Sequence, residues 1–124
     1  MMRTMLAGKI HRATVTEANV DYEGSVTIDT DLMEAADILP FELVHVLDID
    51  TGARLETYAI EGERGSRVIC MNGAAARLVK KGDKVIILHY RSVDEEIALS
   101  GFKPHIALVD QNNDLISVPN PLVT

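Results

Sequence analysis

The strongest constraint on the fold is a series of short apolar runs, each rich in β-branched residues and each bounded by turn residues. Residues 84–90 form the strongest run and follow a Lys-Gly-Asp turn. Residues 42–49 form another, and an Asp-Thr-Gly turn joins them to a predicted hairpin partner at residues 54–60. Because β-branched residues favour strands whereas Gly and Asp favour turns, we predict many short strands. With two small helices among them, these strands predict a mainly β fold that closes as a barrel.

The first predicted strand, residues 4–16, is interrupted once by Gly8, as at a bulge or a close backbone approach. Within it Lys9 and His11 are two residues apart and therefore share a face. That face is either the polar outside of a half-buried sheet or, if it lines a pocket, a patch that binds carboxylates. The residues alone favour the first alternative.

The predicted strand at residues 54–60 carries Arg54 and Tyr58 on one face, with roughly 13 Å between their Cα atoms, and Thr57 on the other. Two long side chains at this spacing can converge on one small ligand. For Tyr58 taken alone, a half-buried sheet aromatic is the ordinary interpretation.

Two short helices are predicted between the strands. Thr30 or Asp31 is expected to cap a helix that continues to Ile38, and Pro40 ends it. Asn72 is expected to cap a second helix that begins at residues 73–75, Gly-Ala-Ala. Free amides at a helix start carry partial positive charge and can receive a carboxylate or an oxyanion. A last short strand is expected at residues 115–118, followed by a proline-containing tail.

Size and charge exclude several classes of protein. The 124 residues, 47% of them hydrophobic, fit one folded domain spanning residues 1–124. The net charge of −7 argues against a nucleic-acid surface. Because no apolar run approaches about 18 residues, we expect no membrane span and a cytoplasmic location. The four His residues are far apart in sequence and the single Cys70 lies in an apolar run, so we expect no metal site and a buried, inert thiol.

The pair Gly24-Ser25 permits unusual chemistry. A serine hydroxyl can attack the carbonyl carbon of the preceding residue and convert the amide into an ester, provided that the fold presses the two groups together. Glycine assists because it reaches backbone angles that other residues resist. Gly-Ser is also a common turn pair, and the chain has a second one at Gly65-Ser66. The dipeptide alone therefore favours an ordinary turn.

Several separated motifs favour the acyl shift at Gly24-Ser25 over an ordinary turn. They are TMLAGKIHR at residues 4–12, YEGS at 22–25, TYAI at 57–60, ERGSR at 63–67 and NGAAA at 72–76. In order and spacing they resemble the pyruvoyl-dependent L-aspartate 1-decarboxylase family, and the resemblance extends to about Asp110. It implies a six-stranded double-psi β-barrel. It also implies cleavage at Gly24-Ser25 into residues 1–24 (a β chain) and 25–124 (an α chain), with Ser25 becoming a covalent pyruvoyl group.

The resemblance further implies the reaction and the assembly. L-Aspartate would be decarboxylated to β-alanine and CO2 for pantothenate biosynthesis, by a homotetramer containing four of each cleaved chain. The ketone of the pyruvoyl group would act as electrophile and electron sink. No nucleic acid or membrane partner is expected.

Residue roles follow from the same resemblance. Ser25 and Tyr58 are the expected catalytic residues, Tyr58 as proton donor. Thr57 and Asn72 are expected to assist cleavage by hydrogen bonding. Lys9 and Arg54 are expected to bind the two carboxylates of aspartate, although which binds which stays open. The remaining expected substrate contacts are His11, Thr57, Gly73, Ala74 and Ala75, with Tyr22 as a secondary candidate.

Two alternatives remain open at this point. In one, the ester is simply hydrolysed, which leaves an N-terminal serine as the nucleophile of a hydrolase. In the other, the barrel is an uncleaved binding module and Gly24-Ser25 is an ordinary turn.

Overall fold

The computed structural model describes residues 1–116, which form eight β-strands, two α-helices and one 3-10 helix. The strands are β1 (Met2–Thr14), β2 (Glu17–Asn19), β3 (Ser25–Asp29), β4 (Leu43–Asp48), β5 (Arg54–Gly62), β6 (Ile69–Asn72), β7 (Lys84–Asp94) and β8 (His105–Leu108). The helices are α1 (Thr30–Ala35), α2 (Glu95–Leu99) and the 3-10 helix Gly73–Arg77.

The strand order shows how the sheet closes. Neighbouring strands follow the order β2-β6-β3-β5-β4-β7-β1-β8. Only Val15 and Thr16 separate β1 from β2, and Thr16 N donates to Ile69 O at 2.8 Å. β1 and β2 are therefore one run that joins β7 on one side to β6 on the other, and the ring closes with six members. β8 pairs in parallel with β1 outside this ring. The predicted mainly β barrel with short helices is confirmed.

The interior follows the period-two alternation of the strands. In β4, Val44 and Val46 are fully buried, whereas the flanking side chains are more exposed. Burial of one large aliphatic side chain contributes roughly 1.5–3 kcal/mol. The apolar core also contains Ile10, Val26, Ile28, Leu32, Met33, Ile69, Met71, Val85 and Ile87. One core thus fixes all the central strands relative to one another.

Gly8 marks a close backbone approach, as predicted. The β1–β7 register shifts between Leu6 and Gly8. A Cβ atom at position 8 would lie 2.0 Å from the carbonyl oxygen of Ala36 and 2.9 Å from Nε2 of His89. Because real Cβ atoms do not approach so closely, only glycine lets β1 pass beneath α1.

Some local predictions were wrong. Asp29, and not Thr30 or Asp31, caps α1, since its Oδ1 accepts from the Asp31 amide at 2.8 Å. Its other carboxylate oxygen accepts from the Arg67 amide at 2.7 Å, so both oxygens of this buried carboxylate are hydrogen-bonded. α1 is also shorter than predicted and ends at Ala35. β7 is longer than predicted because it pairs with β1 as far as Asp94.

At the C-terminal end Leu115 forms a single bridge with Val109. The rest of the strand expected at residues 115–118, and the tail after it, lie outside the described residues. Over residues 1–116, no helix is both long enough and apolar enough to span a bilayer.

Candidate active site

Ser25 is the first residue of β3 and is almost completely buried, at 1% exposure. β3 lies between β5, which is parallel to it, and β6, which is antiparallel. Within the β3–β6 pair, Ser25 stands directly opposite Asn72. The residue that the sequence singled out is therefore held in the barrel wall and not in a mobile turn.

The side chain of Asn72 holds the Ser25 hydroxyl. Its Nδ2 donates to Ser25 Oγ at 3.0 Å and to Thr27 Oγ1 at 3.0 Å. Asn72 occupies the N-cap position of the helix that begins at Gly73, as predicted, but that helix is a 3-10 helix and the Asn72 side chain makes no capping hydrogen bond. Ser25 Oγ in turn donates to the carbonyl oxygen of Glu23 at 3.3 Å. Both the lone pairs and the proton of the hydroxyl thus have fixed directions.

Gly73 packs directly against the Gly24 segment. Its φ is +65°, in the left-handed region that favours glycine. A Cβ atom at position 73 would lie 2.7 Å from both Cα and N of Gly24, and 2.8 Å from the carbonyl oxygen of Tyr22. The peptide that precedes Ser25 therefore rests on bare backbone, and its position depends on residue 73 having no side chain.

A cavity of about 230 Å³ adjoins this segment. It is lined by Gly24, Leu55, Glu56, Thr57, Ala74, Ala75 and Leu78. Three predicted site residues, Thr57, Ala74 and Ala75, thus face the same space as Gly24. A larger cavity of about 410 Å³ lies elsewhere, around Arg67 and Asn113. The smaller cavity is the one adjacent to the Gly24-Ser25 bond.

Thr57 and Tyr58 lie on opposite faces of a regular strand. β5 pairs residue by residue with β4 from Arg54 to Tyr58, without a bulge. Thr57 faces the cavity beside Gly24, whereas the ring of Tyr58 stacks on Phe41 with 6.3 Å between centroids. Arg54 shares the face of Tyr58 by strand alternation. Within one chain, the side chains of Thr57 and Tyr58 therefore leave β5 in opposite directions.

Lys9, His11 and Arg54 lie apart from Gly24 in the single chain. Lys9 and His11 are on the part of β1 that pairs with β7 and β8, neither of which is a neighbour of β3. Arg54 lines a different cavity, of about 210 Å³, together with Leu47 and Ile86. Over residues 1–116, none of the three lines the cavity beside Gly24.

The surroundings of His11 favour its neutral form. Burial, followed by the positive charges of Lys9 and Arg12, lowers the pKa of His11 below its ordinary value. Its Nδ1 atom is buried and has no hydrogen-bond partner among the described residues. A neutral imidazole with one free nitrogen can accept or relay a proton, but it adds no positive charge for a carboxylate.

Sequence reasoning missed two neighbours of this site, Thr27 and Cys70. Thr27 accepts a hydrogen bond from Asn72, and Sγ of Cys70 lies 3.2 Å from Asn72 Oδ1. Burial, and then Glu17, raise the pKa of the Cys70 thiol. The period-two spacing of Ser25 with Thr27, and of Cys70 with Asn72, is the signal that links them across β3 and β6.

Comparison with known proteins identifies relatives of this chain. The model of the aspartate decarboxylase family matches residues 1–116. Aspartate 1-decarboxylase of Thermoanaerobacter pseudethanolicus is 57% identical over 118 residues, covering 95% of this chain and 100% of that protein. The aspartate 1-decarboxylases of Clostridium kluyveri and Bacillus cereus are 56% and 57% identical, each covering 95% of this chain and 92% of the relative.

Among solved structures, the computationally designed protein msDPBB_sym2 aligns with a TM-score of 0.42 and 20% identity, over 68% of this chain and 96% of the designed one.

Proposed function

We propose that this chain, which belongs to the aspartate decarboxylase family, decarboxylates L-aspartate to β-alanine and CO2 by means of a pyruvoyl group made from its own Ser25. The observation that carries the proposal is the buried Ser25 hydroxyl, hydrogen-bonded by Asn72 and adjoining a glycine that packs against Gly73. The family resemblance adds a role in pantothenate synthesis, and the cytoplasmic location expected from the sequence is part of the same proposal.

Self-cleavage begins at a preorganised hydroxyl. The Asn72 amide holds Ser25 Oγ, and the Glu23 carbonyl receives its hydrogen bond. Oγ attacks the Gly24 carbonyl carbon, the C–N bond breaks, and the peptide amide becomes an ester with a free amine on Ser25. Because the two groups are adjacent in one chain, this step requires no bimolecular encounter, and orientation supplies a large part of the rate.

Thr57, Ala74 and Ala75 face the Gly24 side of the bond. The Thr57 hydroxyl is the candidate donor to the negative charge that develops on the Gly24 carbonyl oxygen. Subsequent elimination across the Cα and Cβ of Ser25 releases residues 1–24, and hydrolysis with loss of ammonia leaves a ketone at the start of residues 25–124. Ser25 is buried whereas Gly24 is exposed, so the water for this hydrolysis would enter from the Gly24 side.

The ketone supplies an electrophile for the substrate amine and an electron sink for departure of the α-carboxylate. The chain's own residues bind the substrate around it. Lys9 and Arg54 provide positive charges for the two carboxylates of aspartate, and an Arg can clamp a carboxylate through two hydrogen bonds. Tyr58 donates the proton that replaces CO2.

A neighbouring subunit would bring these residues together. Thr57 faces the cavity beside Gly24, whereas Tyr58 and Arg54 face outward from β5. The outer surface beside Tyr58 is apolar, with Leu43 at 56% and Phe41 at 75% exposure. Contact between subunits would bury this surface and carry outward-facing residues to another chain's Ser25. We therefore propose a homotetramer of cleaved chains with shared sites.

Intact-mass measurement of purified protein tests the proposal. The wild-type chain should give two fragments separated at Gly24-Ser25, and the larger fragment should carry a ketone that reacts with a hydrazine reagent. Ser25→Ala should stay whole and release no CO2 from aspartate. Ser66→Ala is the matched control, because Gly65-Ser66 is the second such pair and Ser66 is exposed; this variant should cleave as the wild type does.

Three outcomes would overturn the assignment. Cleavage of Ser25→Ala would exclude the acyl shift. A wild-type chain that stays whole while it remains active would exclude the pyruvoyl group. A larger fragment that begins with a free serine amine would indicate an N-terminal nucleophile hydrolase instead.

A further inference from the structure

One face of the β3–β6 pair carries a row of polar side chains opposite the core. Ile69 and Met71 alternate with Cys70 and Asn72 along β6 and belong to the apolar core. Cys70 and Asn72 face the other way, and each stands opposite a hydroxyl residue of β3: Thr27 opposite Cys70 and Ser25 opposite Asn72. The cleavage serine thus belongs to a group of four, Ser25, Thr27, Cys70 and Asn72, referred to below as the polar quartet.

The hydrogen bonds of the quartet require one orientation of the Asn72 amide. The Nδ2 group uses both its donors, on Ser25 Oγ and Thr27 Oγ1. A rotation of the amide by 180° would exchange Nδ2 and Oδ1. The Ser25 hydroxyl would then turn its proton towards Oδ1 and lose its present hydrogen bond to the Glu23 carbonyl. The reactive lone pair would no longer have the same direction.

Cys70 is the group that distinguishes the two orientations. Its Sγ lies 3.2 Å from Asn72 Oδ1, closer than Glu17 Oε2 at 3.8 Å or Met71 O at 4.0 Å. A thiol can donate one weak hydrogen bond, and here the nearest acceptor is the amide oxygen. After rotation, the S–H group would face an NH2 group and would lose its nearest acceptor, which leaves only the more distant Glu17 Oε2 and Met71 O.

We propose that Cys70 is a positioning residue for self-cleavage: its thiol hydrogen bond to Asn72 Oδ1 keeps the Asn72 NH2 group facing Ser25 Oγ. This inference rests on the proposed function, since it concerns the rate at which Ser25 is processed. The raised pKa of the buried thiol supports it, because only a protonated thiol can donate.

The test compares variants that keep or remove the donor. Cys70→Ser retains a donor at the same position, whereas Cys70→Ala and Cys70→Val remove it, and Val also keeps the volume of the site filled. Each chain is purified as the uncleaved precursor and its cleavage is followed by intact mass. We expect Cys70→Ser to cleave within about twofold of wild type and the Ala and Val variants to be slowed by roughly 3- to 10-fold, the range for one neutral hydrogen bond.

Further readouts separate positioning from a merely structural role. The thermal midpoint of Cys70→Val should lie above that of Cys70→Ala, because Val leaves no cavity although both variants lose the same hydrogen bond. Once cleavage is complete, the KM of Cys70→Val for aspartate should match the wild type. In the Asn72→Ala background, where the amide is gone, adding Cys70→Ala should slow cleavage no further.

Defined results overturn the inference. Wild-type cleavage by Cys70→Val, equal slowing by Cys70→Ser and Cys70→Val, or additive effects of Cys70→Ala and Asn72→Ala would each refute it, although self-cleavage by the wild type would still stand. A wild-type chain that never cleaves would instead refute the proposed function on which the inference rests.

Discussion

Replacement of Gly73 by alanine should lower the stability and slow self-cleavage, because of the backbone conformation of residue 73 and its contact with Gly24. Gly73 has φ of +65°, and a side chain in the left-handed region costs roughly 1–2 kcal/mol. The new Cβ would also stand 2.7 Å from Cα and N of Gly24. These are backbone atoms that cannot rotate away, and such overpacking costs typically about 1–3 kcal/mol. We expect a total loss of roughly 2–5 kcal/mol.

The effect on cleavage follows from the direction of the displacement. To relieve the contact, Gly24 must move away from residue 73 by several tenths of an ångström, while Ser25 remains paired with Asn72 in the sheet. A misplacement on the scale of 1 Å can cost about 10²-fold in rate. We therefore expect Gly73→Ala to be cleaved about 10- to 100-fold more slowly than the wild type.

Gly101→Ala is the matched control. Gly101 also has positive φ, at +93°, but a Cβ there meets nothing within 4 Å. This control should lose only the conformational part, roughly 1–2 kcal/mol, and cleave at the wild-type rate. Thermal midpoints and time courses of intact mass measure both quantities. If Gly73→Ala cleaved as fast as Gly101→Ala, the Gly24 segment would not depend on Gly73, and the reasoning would be refuted.

Three further changes test other parts of the molecule. Burial, and then Asp83, raise the pKa of the Asp48 carboxyl, so the folded protein binds the Asp48 proton more tightly than the unfolded chain, and stability falls as pH rises through the raised pKa. Asp48→Asn should remove that fall and raise the thermal midpoint at neutral pH. If the pH profile of the thermal midpoint were unchanged in Asp48→Asn, this prediction would be contradicted. Arg54→Ala should lose about 10- to 100-fold in aspartate-dependent CO2 release, as expected for a lost charged hydrogen bond. It should still be cleaved at the normal rate, because Arg54 does not line the cavity beside Gly24. Equal losses of CO2 release and of cleavage rate would assign Arg54 to cleavage. Gly8→Ala should give little folded protein by soluble yield and circular dichroism, because its Cβ would lie 2.0 Å from the Ala36 carbonyl oxygen, and a wild-type melting curve would contradict the close approach.

The strands were predictable because their signal is local. Residues 84–90 are almost continuously β-branched or apolar, and the structure places them in β7. Gly8 was predictable as a close backbone approach because glycine weakens a strand and often marks a bulge or a site where another backbone comes close. The capping residue of α1 was not, since Asp29 is selected by its additional hydrogen bonds to the Gly65 and Arg67 amides, which come from distant sequence.

The candidate site was predictable only in part, for the same physical reason. The pair Gly24-Ser25 and the cavity residue Thr57 came from motifs, but the actual partner of the Asn72 side chain depends on strand register. An Asn before Gly-Ala-Ala has the sequence pattern of a helix cap. Its orientation towards Ser25 follows from the β3–β6 pairing, which no local pattern specifies. The predicted burial of Cys70 is confirmed, but its contact with Asn72 was not predictable, because the nearest acceptor of the thiol is defined by that same register.

The alternation of side chains along β5 predicts that the two steps differ in their need for a second chain. A strand without a bulge sends Thr57 and Tyr58 to opposite faces, and the pairing from Arg54 to Tyr58 has no bulge. In the proposed mechanism, cleavage uses groups on the Thr57 face, beside Gly24, and a single chain supplies all of them. Decarboxylation is expected to need Tyr58 and Arg54, which one chain directs away from its own Gly24. Precursor cleavage should therefore proceed in a diluted, monomeric chain, whereas turnover of aspartate should rise with the fraction of assembled protein.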